Sequence, residues 1–258
     1  MELAGKKSVF KGVSQEVIDA ALKNIFGKKV DLKKGVEPNL YVATLAAITD
    51  AIDGGFSGVE LGEENKNFID ELKASAKVFA AFKTHRQQND IARELLDEAG
   101  KLKPFNKFVE DTKAVIGKYN KVWLRTEFDT AVIRARQAAN FKKYQEDSDL
   151  FPNLKWLPST SPHPREVHTK FYGLVLPQTD DFWRAHYPGN DWNCKCGITN
   201  TDQEVSPSIP KSGYTPAPGL DENPGITGEI FTKSHPYVTE AYPGAAKAVK
   251  SAIKGDKE

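Results

Sequence analysis

Two cysteines separated by one residue, Cys194-Lys195-Cys196, are the only cysteines of the chain. Three of its five histidines, His163, His168 and His186, precede them in the same stretch. Thiolate sulfur and imidazole nitrogen are the ligands that zinc takes in tetrahedral sites. On a strand, residues i and i+2 face the same side, so both thiolates can reach one ion. Cys194, Cys196, His168 and His186 therefore form the candidate metal set, with zinc as the candidate cofactor. The spacing is tighter than the two or more residues usual between paired zinc cysteines. The plainer reading makes both cysteines small, buried, apolar-like residues.

A second chemistry is open to His168. A general base needs a carboxylate to orient it, and Asp180, Asp181 and Glu166 are near in sequence. Cys194 and His168 also have the residue types of a thiolate pair. No nucleophile elbow, phosphate-cradling glycine loop or His-Glu-x-x-His run accompanies them. On residue type alone, His168 and Arg165 read as buried hydrogen-bonding residues that pin irregular backbone. His163, between two prolines, and His235, before Pro236, read as loop residues.

These side chains must be positioned by residues 151–199, which also hold three of the four tryptophans. Pro and Gly interrupt any longer element there, which predicts a small irregular α+β unit. Short strands are expected around Val175-Leu176 and over 194–198. Upstream, the apolar spacing is helical. Val17, Ile18, Ala21, Leu22 and Ile25 recur on one face, with Ser14 as N-cap and Gly27 as stop. A second helix opens at Pro38 and ends at Gly54-Gly55. Residues 63–99 form one long helix or two joined near 87–90, with His85 a surface or boundary residue. Pro104 opens another helix, and 121–147 forms the last, with Trp123, Leu124, Phe128, Ala131, Val132 and Ala135 toward the core.

Along that last helix Arg134, Arg136, Lys142 and Lys143 are the candidate DNA-facing residues, a solvated charged face being the commoner reading. After Asp202 the chain turns rich in Pro, Gly, Ser and Thr, which favours an extended tail. Phe231, Tyr237 and Tyr242 are placed to dock it, and 245–254 reads as a terminal helix. The expected fold class is α+β: a mainly helical region (1–120), a small Cys/His/Trp-rich α+β domain (121–204) and an extended tail (205–258).

Composition narrows the function. With 36 basic and 35 acidic residues the net charge is +1, which argues against a globally basic nucleic-acid binder. No run approaches the roughly 18 apolar residues of a membrane span. The opening residues lack the apolar core of a secretion signal. Two cysteines at this spacing make no disulfide framework, as expected of a protein built for a reducing cytoplasm.

One ordered set of residues points further. Arg125-Thr126-Glu127 lies in a helix. It is followed by Arg165 shortly before His168, then Gly173, Asp180-Asp181-Phe182-Trp183, Pro188 and Asn193-Cys194-Lys195-Cys196. Over about residues 123–198 this order resembles the phage Mu F-like minor head (head morphogenesis) protein family. Lys195 stands where that pattern usually has Arg, keeping the charge but losing the planar fork. The resemblance implies a minor capsid protein of a tailed phage or prophage. It would reside in the virion head and portal region, and in the host cytoplasm during assembly. Its implied partners are the portal protein and capsid or scaffold proteins, with DNA a further candidate and no membrane. The alternative is a metal-dependent hydrolase or nuclease acting on nucleic acid. A carrier for a toxin domain is a third reading, for which 258 residues are expected to leave no room.

Overall fold

The computed structural model describes residues 8–255; residues 1–7, most of the opening stretch, lie outside them. The chain forms two compact units, each drawn from separate segments. Among the described residues, a helical unit comprises 9–50, 76–128 and 236–255, and a sheet unit comprises Ser8, 51–75 and 129–235.

In the helical unit, α1 (Gln15–Phe26) starts where the Ser14 hydroxyl accepts the Val17 N–H at 3.4 Å, and it stops at Gly27. Its predicted apolar stripe buries Ile18, Ala21, Leu22 and Ile25 against Leu40, Ile91 and Phe108. The start of α2 (Pro38–Phe56) is fixed by Glu37, which is fully buried. Its carboxylate accepts the Leu40 N–H at 2.7 Å and the side-chain amides of Asn24 and Asn39, each at 2.9 Å. A negative charge there also meets the positive end of the helix dipole.

Helix α3 (Phe68–Ala92) runs unbroken through 87–90 and closes in a 3-10 turn, Arg93–Leu95. His85 corrects the sequence expectation, since it is 1% exposed. Neighbouring helical residues point about 100° apart, so Arg86 can reach outward while His85 turns in toward the Leu32 and Lys33 carbonyls. Helix α4 (Phe105–Gly117) follows Pro104 as expected. It runs through a π-helical stretch, Lys118–Trp123, into α5 (Leu124–Glu146).

Residues 129–146 of α5 belong to the sheet unit, with the antiparallel strands β1 (Asn153–Leu157), β2 (Val175–Pro177) and β3 (Gly197–Thr201) in the order β2-β1-β3. Leu154 pairs with Leu176 on one side and Asn200 on the other. Leu154 and Trp156 are buried while Lys155 between them is not, which is the period-2 pattern of a sheet with one packed face. One-turn helices α6 (Glu166–Thr169), α7 (Phe182–Ala185) and α8 (Pro224–Thr227) punctuate the connections. Leu154, Trp156, Phe171, Trp183, Tyr187 and both cysteines share one core with Phe141 of α5.

Of the expected tail, residues 205–219 hold no helix or strand. Beyond them Leu220, Ile230 and Phe231 are buried in the sheet unit. The short α9 (Pro236–Thr239) and α10 (Ala245–Gly255) return to the helical unit, where Tyr237 and Val249 are buried. The fold class is α+β.

Candidate metal centre

His168 is carried by α6, and Cys194 and Cys196 by the turn that leads into β3. Gly173 lets the chain reverse between α6 and β2, at a φ of +82 that side chains resist. Its N–H donates to the Trp156 carbonyl at 2.9 Å, anchoring this reversal on β1. Asn193 has φ +53, a left-handed conformation that Asn tolerates better than most residues. Its N–H donates to Thr130 Oγ1 at 3.1 Å, and the Cys194 N–H to the Asp191 carbonyl at 3.2 Å. This turn aims both thiols at the imidazole.

His168 Nδ1 lies 3.7 Å from Cys194 Sγ and 3.7 Å from Cys196 Sγ. The three ligand atoms all fall within 4.8 Å of one another. The three residues are 2%, 1% and 4% exposed, in that order. The Cys194 thiol is pulled well below its ordinary value, chiefly by its hydrogen bond with Cys196, against burial and with help from His168. Cys196 is pushed up by the same bond and by burial. Trp156 Nε1–H, buried with no hydrogen-bonded oxygen or nitrogen, and the Tyr172 hydroxyl are turned toward Cys196. The Tyr214 ring, from the stretch without regular elements, lies edge-on to His168 at 4.5 Å between centroids.

His186 is not part of this group. Its ring stacks on Phe182 at 4.9 Å, and burial holds its pKa below the ordinary imidazole value. The carboxylate nearest His168 is also unexpected. Asp191 Oδ2 stands 3.8 Å from Nε2, while its 3.0 Å partner is Arg165 Nε. Arg165 does pin backbone, donating to the Trp192 carbonyl at 2.6 Å, but it does so from the surface. His163 is an exposed loop residue, whereas His235 is a turn residue buried beside Trp192 and Phe231.

The remaining motif residues do structural work. Asp180 Oδ1 accepts the Phe182 N–H at 2.8 Å, and the buried Trp183 donates from Nε1 to the Pro177 carbonyl at 2.9 Å. Asp180 and Asp181 line a surface cleft of about 570 Å³ with Gln145, Ser148 and Arg184. Arg125, Thr126 and Glu127 lie in the helical unit. The Arg125 guanidinium sits over the Phe10 ring, Thr126 Oγ1 donates to the Val122 carbonyl, and Glu127 is buried against Lys83 and Tyr237.

The proposed basic face is much reduced. Arg134 is fully buried and cannot meet DNA, because its guanidinium donates to the carbonyls of Ile230, Gly189, Leu220, Glu222 and Glu229 and to Asn190 Oδ1. Arg136 is half-buried on the Ser57 carbonyl, and Lys142 lies over the Phe68 ring. Lys143 is exposed and pairs with Glu146 at 3.0 Å.

Fold and site together define an α+β protein whose Cys/His cluster is an internal fixture of a small sheet unit. Residues 47–199, more than half of the chain, match the family described as "Phage Mu protein F like protein", and the chain belongs to that family. The match begins well before the Arg-Thr-Glu element, so it includes the second half of α2 and all of α3. The chain is similar to the "Putative capsid assembly protein F" of Escherichia phage Mu, 28% identical over 75 residues, covering 29% of this chain and 17% of that protein. It is also similar to the "Mu-like prophage FluMu F protein" of Haemophilus influenzae, 31% identical over 75 residues, with 29% and 18% covered. The aligned part thus spans less than a fifth of either relative. No solved structure matches at a significant level.

Proposed function

We propose that the chain acts in phage head assembly as an interaction protein, not as an enzyme. The observation that carries this reading is the state of the family's motif residues. Glu127, His168, Trp183, Cys194 and Cys196 are buried and joined to the rest of their own unit. Chemistry on a substrate requires a reacting atom that the substrate can touch. Residues arranged this way instead hold a small module rigid, as a docking component requires. The similarity to a protein named as a putative capsid assembly protein supports the same conclusion.

In its finer form the reading places the chain with portal, capsid or scaffold proteins in the head of a tailed phage or prophage. Contact with packaged DNA would rest on Arg136, Lys142 and Lys143, since Arg134 is withdrawn. Three phosphate contacts give a log–log salt slope of only about −3, so such contact would be weak and non-specific. Among the described residues, no helix is long and apolar enough to cross a membrane.

Particle association tests the proposal. Heads and procapsids from an induced phage or prophage are separated by sedimentation and analysed by mass spectrometry. Co-sedimentation at a fixed low ratio to the major capsid protein is expected. Recovery solely as free protein at the top of the gradient overturns the assembly role.

A further inference from the structure

We propose that His168, Cys194 and Cys196 bind a thiophilic d10 cation, zinc(II) foremost, as a structural cross-link within the sheet unit. Tetrahedral zinc with Zn–S near 2.3 Å and Zn–N near 2.0–2.1 Å sets sulfur and nitrogen about 3.6 Å apart. Both sulfur–nitrogen distances here are 3.7 Å. A metal-free Cys–His hydrogen bond explains one such distance, but not two. Nδ1 carries a single proton or a single lone pair, so it serves only one sulfur well. A cation between the three atoms satisfies all of them together.

The surroundings provide what a ligated site needs next. With Nδ1 on the metal, the imidazole proton resides on Nε2, which is buried with no hydrogen-bond partner and faces Asp191 Oδ2 at 3.8 Å. Arg165 holds that carboxylate in place at 3.0 Å. A carboxylate behind a ligating histidine is the usual way to fix the ring and raise its basicity. Trp156 Nε1–H and the Tyr172 hydroxyl are donors aimed at Cys196, as a metal thiolate in a dry setting requires. The burial of all three ligands keeps a large substrate away from the ion, which favours a structural role. Three protein ligands leave the fourth tetrahedral position to water or another small ligand.

The proposal is independent of the head-assembly reading, because metal content is measured on the isolated chain. The full chain is purified without a metal-binding tag from zinc-supplemented cultures and assayed by elemental mass spectrometry. About one equivalent of zinc per chain is expected, falling below about a tenth in His168→Ala and Cys194→Ser. His186→Ala is expected to retain its metal, which separates this site from the larger set suggested by sequence. Since the ligand variants can fail to fold, two measurements on the unmodified chain carry the decision. Cobalt(II) reconstitution should give a thiolate charge-transfer band with intense tetrahedral d–d absorption, and stripping zinc with a strong chelator should lower the thermal midpoint. Stoichiometric copper(I) in place of zinc supports the same site. Folded protein from the zinc-supplemented cultures that carries less than about a tenth of an equivalent of any thiophilic metal, with a midpoint indifferent to chelator, overturns it.

Discussion

Lys83 and Glu127 form an ion pair whose side chains are only 0% and 4% exposed. Glu127 is the acid of the Arg-Thr-Glu element, so this element reaches into the interior of the helical unit. Its second oxygen accepts the Tyr237 hydroxyl at 2.7 Å, and Lys83 Nζ also donates to the Tyr119 carbonyl at 3.1 Å. Burial pushes the Lys83 pKa down while Glu127 opposes that shift. Removing one partner of a buried pair leaves the other charge uncompensated, at a cost of about 3–5 kcal/mol. Glu127→Leu and Lys83→Met are each expected to lose about that much in urea unfolding, with the double variant recovering a large part. Additive losses in the double variant would show that the two charges are not coupled.

Acid sensitivity should begin well above the carboxylate range. Burial holds the pKa of His85 below its ordinary 6.5, against the pull of the Leu32 and Lys33 carbonyls, and burial does the same for His186. Between the ordinary and the depressed value the unfolded chain binds a proton that the folded chain does not. Stability therefore rises with pH across that window, and is lost as pH falls below about 6.5. His85→Gln removes one of the two contributions. Unfolding free energies measured from pH 5 to 8 should show a shallower slope in this variant, and an unchanged slope would contradict the assignment.

The helices were legible because their apolar residues repeat with period 3.6 and their ends carry Ser14, Gly27, Pro38 and Pro104. His85 was misplaced because its sequence neighbours are charged, and adjacency says nothing about which way a helical residue points. Strand β1 went unseen: Asn153–Leu157 has only Leu154 and Trp156 to mark its alternation, and its partners lie about 20 and 40 residues on. In the metal set, Cys194, Cys196 and His168 were found by residue type, but type could not separate His168 from His186. That difference is made by α7, which stacks His186 on Phe182. Asp191 was within reach of the sequence, since it stands three residues before Cys194.

Gly55 marks a close helix crossing within the sheet unit. A Cβ built there would lie 2.5 Å from Ala135 Cβ, 2.7 Å from the Val132 carbonyl and 2.9 Å from the Arg136 nitrogen. Two of those neighbours are backbone, so α5 would have to move. Gly55→Ala should destabilise by about 1–3 kcal/mol, although Ala is the better helix former by about 1 kcal/mol. Gly117→Ala meets nothing within 4 Å, and is the control in which propensity alone should act. A stabilised Gly55→Ala chain in thermal melts would mean that the two helices are farther apart than described.

Arg134 gathers five backbone carbonyls of the sheet unit around one guanidinium. Burial lowers its pKa to about 10, still far enough above neutrality for the guanidinium to remain charged. Its fork reaches Ile230 at 2.7 Å, Glu222 at 2.8 Å and Asn190 Oδ1 at 2.9 Å, tying a chain segment without regular strands to α5. Lysine presents a point charge with three donors and cannot span these acceptors. Arg134→Lys is therefore expected to cost about 2–4 kcal/mol, much of it from carbonyls left unsatisfied in the interior. Hydrogen exchange should locate the damage, with amides of 220–232 exchanging faster and those of α1 unchanged. If Arg134→Lys instead keeps its stability and weakens only binding to DNA, then the guanidinium is available to phosphate and the burial argument fails.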